Sequence, residues 1–133
     1  MSEDKKGNNY SIGYLAKSAG LTTRTIRYYE ERGLLDSIKR VGGGRRIYTD
    51  DDLRRLKFIK RLKLLSLTLA EMEELAEIYW IDRTNKKVLP KLMELLDHHR
   101  EETENRIKSL TKLKSEIREY RERIKKKLTD LQE

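Results

Sequence analysis

The chain has 133 residues, 41% of them charged and 36% hydrophobic, with 31 Lys+Arg against 23 Asp+Glu and a formal net charge of +8. It has no cysteine, which excludes disulfides, thiolate metal sites and cysteine nucleophiles. It has no apolar run long enough for a bilayer span or a signal peptide, so a cytoplasmic protein with no membrane association is expected. The excess charge sits in one half: Met1 to Ser66 carries 16 Lys+Arg and 8 Asp+Glu, whereas Leu67 to Glu133 carries 15 of each. A positive field confined to one half points to a polyanion partner for that half.

In chain order, residues 1–9 are polar and predicted to be a frayed tail. Ser11 can cap a short helix whose apolar positions are Ile12, Leu15, Ala16 and Ala19. Gly20-Leu21 breaks it, and Thr22 caps a second helix, Thr23 to Arg32, stopped by Gly33. Two short helices joined by a glycine turn make a helix-turn-helix signature. Ile38 to Val41 and Arg45 to Tyr48 are β-capable runs around Gly42-Gly43-Gly44, a hairpin signal. Thr49 or Asp50 caps a third helix with Leu53, Leu56, Ile59 and Leu62 on one face, and Asp51 and Asp52 suit its positive end. After a break at Leu65-Ser66, a fourth helix turns Leu69, Met72, Leu75, Ala76 and Tyr79 inward.

Residues 81–88 are predicted to be a linker, and a long helix starts between Asn85 and Leu89, with Pro90 in its first turn. Its seam runs Leu89, Leu92, Leu96, His99, Thr103, then Leu110, Leu113, Ile117, Tyr120, Ile124 and Leu131 in steps of three and four, the coiled-coil rule. A lone helix cannot bury such a seam, so a second copy is the simplest partner. The predicted dimer contacts are strongest at Leu110, Leu113, Ile117, Tyr120 and Ile124, because Thr103, Arg106 and Lys127 interrupt the seam elsewhere.

The second helix carries the functional signal. Ile26 and Tyr29 face the first helix, leaving Thr23, Arg24, Arg27 and Tyr28 outward. A helix N-terminus attracts anions, arginine makes forked bonds to phosphate or to guanine, and hydroxyls bond phosphate oxygens. Such a helix suits the major groove. The competing reading is a solvated face whose arginines pair with Glu30 and Glu31. The hairpin adds Lys39, Arg40, Arg45 and Arg46, which makes it a candidate wing.

The run from Tyr10 to Glu77, above all "TIRYYEERGLL" (Thr25 to Leu35) and "RIY" (Arg46 to Tyr48), resembles the DNA-binding domain of the MerR family of bacterial transcription regulators. The resemblance implies a mainly α protein: a winged helix-turn-helix domain over residues 10–80 with a small β-hairpin wing, then a helix over 89–133 forming a dimeric antiparallel coiled coil. It also implies a homodimer on a pseudo-palindromic promoter site of double-stranded DNA, distortion of the promoter, and RNA polymerase as a further partner. Arg24 and Arg27 are then expected at the groove, Tyr28 and Tyr29 near the backbone, and Arg46 and Tyr48 in the wing. The helix caps Ser11 and Thr22, with Thr23, Arg40 and Arg45, complete the expected DNA-contact set. Arg45 stands where an aromatic residue is common, Leu65 where a glycine is, and the sensor cysteines of metal and redox members are absent. No effector-binding domain is expected after the coiled coil.

Other chemistry is thin. His98-His99 is the only imidazole pair, and neighbours on a helix point about 100° apart, so no metal site and no cofactor are expected. Tyr79-Trp80-Ile81 is an aromatic cluster fit for core packing or an apolar ligand. "IREYRERIKKKL" fits the seam better than a membrane surface. No phosphate loop or catalytic constellation is present, so no enzyme is expected. An effector-independent DNA-binding adaptor or architectural protein that recruits a partner through its coiled coil is the alternative to a regulator.

Overall fold

The computed structural model describes residues 5–6, 9–36, 39–41 and 45–132. In chain order the elements are β1 (Lys5–Lys6), β2 (Asn9–Tyr10), α1 (Ile12–Ala19), α2 (Thr23–Glu31), β3 (Lys39–Val41), β4 (Arg45–Ile47), α3 (Asp50–Leu64), α4 (Leu69–Asp82) and α5 (Val88–Gln132). They fall into two compact units, Met1–Leu95 and Leu96–Glu133. No helix among the described residues is long and apolar enough to cross a membrane.

Local chemistry sets most helix ends. Ser11 Oγ accepts the Tyr14 N–H at 3.1 Å and starts α1. Thr22 Oγ1 accepts the Thr25 N–H at 3.1 Å and starts α2. Thr49 with Asp52, and Thr68 with Glu71, form reciprocal capping boxes that start α3 and α4. Asp52 is buried in that role, its Oδ2 accepting the Thr49 N–H at 2.8 Å. Helix α2 ends at Gly33, whose φ of +77° only glycine adopts without strain, and the Leu34 N–H then reaches back to the Tyr29 carbonyl at 2.9 Å. Gly20 (φ +68°) ends α1 under Lys60 of α3, whose ammonium donates to the Ala19 carbonyl at 3.2 Å. A cation there suits the negative end of α1, and a Cβ on Gly20 would lie 2.6 Å from Lys60 Nζ.

Leu15, Ile26, Leu34 and Leu56 are fully buried and form the centre of the first unit, where α1, α2 and α3 meet. Ile59, Leu62, Met72, Leu75 and Ala76 extend this core along α3 and α4. The N-terminal segment differs from the expected frayed tail. Strand β1 pairs antiparallel with β2, and Tyr10 is bridged to Tyr48 by two backbone hydrogen bonds of 2.7 and 2.8 Å. The pairing of Lys5–Lys6 with Asn9–Tyr10 is local but carries no apolar alternation, and the bridge that anchors it, Tyr10 to Tyr48, is distant in sequence. The wing strands β3 and β4 pair with Arg40 opposite Arg46; the glycines expected at the tip, Gly42 to Gly44, and Ile38 lie outside the described residues.

The start of the long helix also departs from the expected seam. Val88, Leu92 and Leu95 are the buried positions of α5, and Leu89 is 56% exposed. The seam expected from Leu89 is therefore rotated there, because the opening turns of α5 pack in the first unit, where Lys91 also reaches Glu74 at 3.2 Å. That unit extends to Leu95, past the linker expected at 81–88.

At the α3–α4 turn the left-handed residue is Ser66 (φ +77°), not Leu65 (φ −87°). The Leu67 N–H bonds the Leu62 carbonyl and the Ser66 N–H bonds the Lys63 carbonyl, both at 3.1 Å. This Schellman motif favours glycine where Ser66 stands. The left-handed conformation costs a non-glycine residue about 1–2 kcal/mol, against about 0.5–1 kcal/mol of extra unfolded-chain entropy for glycine. Ser66→Gly is therefore expected to stabilise the protein by about 0.5–1 kcal/mol, seen as a higher urea midpoint at unchanged m-value.

Candidate nucleic-acid interface

Helix α2 is amphipathic in an unusual sense: one face is core and the other is cationic. Ile26 is fully buried and Tyr29 is 4% exposed, whereas Thr22, Arg24, Arg27, Tyr28 and Glu31 are exposed and Thr23 is half-exposed. Arg24, Arg27, Tyr28 and Glu31 follow the i, i+3, i+4, i+7 spacing that lines one helix face. Neither Arg24 nor Arg27 has an ion-pair or hydrogen-bond partner among the described residues. The two glutamates that could have neutralised them do not: Glu31 has no such partner either, and Glu30 is turned inward. Two unpaired guanidinium groups thus stand on the first two turns of a short helix whose opposite face is locked in the core.

The wing is tied to this helix by a buried polar cluster. The Glu30 side chain is 3% exposed, its Oε1 accepts the Tyr48 hydroxyl proton, and Arg46 NH1 lies 3.8 Å from the same oxygen. Glu30 Oε2 is buried without a hydrogen-bond partner among the described residues. Tyr48 is itself 3% exposed, and burial, then the hydrogen bond to the Glu30 carboxylate, pushes its phenol above the ordinary range. Through its backbone Tyr48 meets Tyr10, whose hydroxyl donates to Asp50 at the start of α3. That bond raises the Tyr10 phenol as well, with burial second. Tyr10 also stacks on Tyr14 of α1, with ring centroids 4.8 Å apart.

Two tyrosines expected at DNA are therefore core residues. Tyr29 lies three residues after Ile26, on the inner face, and Tyr48 is anchored at both backbone and hydroxyl. Tyr28 is exposed, with Arg32 5.9 Å from its ring centroid. Arg46 is partly open, its side chain 31% exposed. Arg40 and Arg45 are placed in the wing by their backbone, and their side chains lie outside the described part. Ser11 is half-buried, with Oγ engaged as a helix cap.

Sequence reasoning missed a second fastening. Trp80 Nε1 donates to the Gly33 carbonyl at 2.9 Å, so the end of α4 grips the turn that closes α2. Arg55 stacks over Tyr79 and Trp80 at 4.2 and 4.6 Å, and Arg83 covers Trp80 at 4.8 Å while pairing with Asp36 at 3.3 Å. Arg32 joins Glu73 of α4 at 2.9 Å. The signal was the aromatic pair itself, but only a long-range contact gives it this role. Tyr79, without Trp80, also lines a pocket of about 320 Å³ bounded by Phe58, Leu62, Met72, Leu75 and Val88. His98 sits 3.6 Å from Glu102, and no group of three His, Cys, Asp or Glu side chains converges among the described residues.

Comparison with known proteins adds a family. A profile described as MerR HTH family regulatory protein matches residues 10–77, and one described as MerR, DNA binding, matches residues 53–120. The chain belongs to the MerR family. It is a DNA-binding transcription regulator of that family. It is 37% identical over 112 residues to the HTH-type transcriptional regulator ZntR homolog of Haemophilus influenzae, covering 84% of this chain and 81% of that protein. It is 32% identical over 120 residues to the regulator YfmP of Bacillus subtilis, covering 80% of this chain and 86% of that one. Among solved structures it is similar to HiNmlR, a MerR family regulator lacking the sensor domain and bound to promoter DNA (TM-score 0.60, 26% identity, 75% of this chain and 76% of that one). It is also similar to PbrR691 of Ralstonia metallidurans CH34 in complex with lead(II) (TM-score 0.65, 31% identity, 83% and 84%).

Removing the Tyr48 hydroxyl would leave both oxygens of a buried carboxylate without a hydrogen-bond donor. Tyr48→Phe is expected to destabilise the fold by about 1–3 kcal/mol, measured by urea unfolding. The raised phenol pKa gives the linkage its sign: the neutral hydroxyl is favoured in the folded state. Its contribution is complete below the ordinary tyrosine value of 10.0 and is lost as pH rises beyond it. Stability measured from pH 8 upward to about pH 11 should fall more steeply in the wild type than in Tyr48→Phe.

Proposed function

We propose that this MerR-family regulator acts in the cytoplasm as a homodimer on a pseudo-palindromic promoter site, each protomer inserting α2 into the major groove and gripping flanking phosphates with its wing. The observation that carries this reading is the pair of exposed, unpartnered arginines, Arg24 and Arg27, on the outer face of α2. Unpaired guanidinium groups at the N-terminal half of a short helix are suited to base edges and phosphate. Tyr28, Thr22 and Thr23 supply hydroxyls for backbone oxygens, and Arg40, Arg45 and Arg46 supply the wing's charge. Wings that hold the backbone outside the base contacts are suited to distorting promoter DNA, which is how RNA polymerase would be served.

Dimerisation is the role of the second unit. In the single chain Leu110, Leu113, Ile117, Tyr120 and Ile124 are 44–64% exposed. Burying five such half-exposed side chains from each of two protomers yields about 8–15 kcal/mol in gross terms, against about 4–15 kcal/mol for lost rotational and translational freedom. The margin is small enough that two substitutions should abolish it. Leu113→Asp combined with Ile117→Asp is expected to give monomers in sedimentation equilibrium at micromolar concentration and to remove tight DNA binding. A wild type that is itself monomeric under those conditions refutes the dimer.

The division of labour at DNA is tested with two probes: a duplex enriched from a random-sequence pool by the wild-type protein, and an unselected duplex of the same length. Arg24→Ala is expected to cost about 1–3 kcal/mol on the selected duplex and to relax specificity, because a base contact is lost. Arg46→Ala is expected to weaken both duplexes alike and to flatten the salt dependence, because a phosphate contact releases counterions whatever the bases are. Loss of affinity for both duplexes alike in Arg24→Ala would refute its base-reading role.

A further inference from the structure

We propose that Glu30 is the positioning residue of the DNA-contact surface: it holds Arg46 of the wing in register with Arg24 and Arg27 of α2. This rests on the DNA-binding reading given above. An anionic residue in a helix that approaches phosphate is adverse by charge alone, and burying it is adverse again. Glu30 carries both penalties. Its side chain is 3% exposed, and one of its two oxygens has no hydrogen-bond partner among the described residues. Fold stability is thus a poor account of why a carboxylate, and not an apolar side chain, fills this place.

Its neighbours supply a better account. Arg46 NH1 lies 3.8 Å from Glu30 Oε1, and the guanidinium also interacts with the Tyr48 hydroxyl that donates to the same carboxylate. A guanidinium has five N–H donors in a planar fork. Arg46 is therefore steadied on one side by the carboxylate and partly open on the other, where its side chain remains 31% exposed. An arginine already held near its bound rotamer loses less freedom when it closes on a phosphate. Tyr48 donates its hydroxyl to the same carboxylate oxygen and is bridged to Tyr10, so the carboxylate is fixed by the fold and not merely by Arg46. Because Glu30 belongs to the same helix as Arg24 and Arg27, a shift of the wing is a shift against the helix that enters the groove.

The test uses the full chain with variants Glu30→Gln, Arg46→Ala and both together, on the two duplexes above, at a temperature where circular dichroism finds each variant folded. Charge alone requires Glu30→Gln to bind DNA more tightly. The positioning role requires the opposite: weaker binding by about fivefold, the scale of freeing one long side chain, and no weakening when Arg46 is already alanine. A Glu30→Gln that binds more tightly, or that weakens equally with and without Arg46, overturns the proposal. Arg46→Ala binding both duplexes as the wild type does would overturn the wing's DNA role itself, a separate and recognisable failure. If Glu30→Gln does not fold, Tyr48→Phe takes its place, since it loosens the same carboxylate, with the same required dependence on Arg46.

Discussion

The arrangement of this domain depends on a carboxylate buried inside a DNA-binding helix. Glu30 points into the protein, where the Tyr48 hydroxyl and the Arg46 guanidinium meet it. Helix α2 is only two and a half turns long and could not hold a stable conformation by itself. It is held by Ile26 and Tyr29 in the core and by this cluster on its flank. The price is a buried charge with one unsatisfied oxygen, tolerable because the adjoining donors are themselves fixed: Tyr48 by its backbone bridge to Tyr10, and Tyr10 by Asp50 at the start of α3.

Around this cluster, the chain spends side chains on fastening helix ends. Lys60 of α3 donates to the last carbonyl of α1, and Trp80 of α4 donates to the carbonyl of Gly33, where α2 ends. The first satisfies a carbonyl that a terminating helix leaves open, and the second fixes the turn that follows α2. The C-terminal ends of both helices of the helix-turn-helix are thereby tied to the two helices behind them. Among the described residues, the outward face of α2 is left without internal partners for Arg24 and Arg27. A surface so arranged is rigid in backbone and unsatisfied in charge, which suits a polyanion.

The C-terminal half of the chain follows a different logic. Residues from Leu67 onward carry equal numbers of acids and bases, so this half of the chain brings no net attraction to DNA. Its apolar stripe is left in water in the single chain, with Leu110 and Tyr120 more than 60% exposed. Charge and hydrophobicity are thus sorted between the halves: one approaches nucleic acid, and the other is suited to a second helix.

By itself the sequence determined what depends on neighbours a few residues away. Ser11, Thr22, Thr49 and Thr68 cap helices because their hydroxyls reach an N–H three residues on, and Gly33 stops α2 because it alone accepts a positive φ freely. The exposed face of α2 was legible from the same periodicity. What only the tertiary structure decided involves partners far apart in the chain. The bridge from Tyr10 to Tyr48, the inward turn of Glu30 and the grip of Trp80 on Gly33 leave no local pattern. Tyr48 matched the motif of a DNA surface, yet packing drew it into the core, whereas the burial of Tyr29 follows the inward face that helical periodicity gave it. At the start of α5, steps of three and four fit two adjacent stripes, one through Leu89 and one through Val88, Leu92 and Leu95. Only the packing of the first unit selects the second stripe, because a periodic pattern states that a helix has a buried face but not which neighbour buries it.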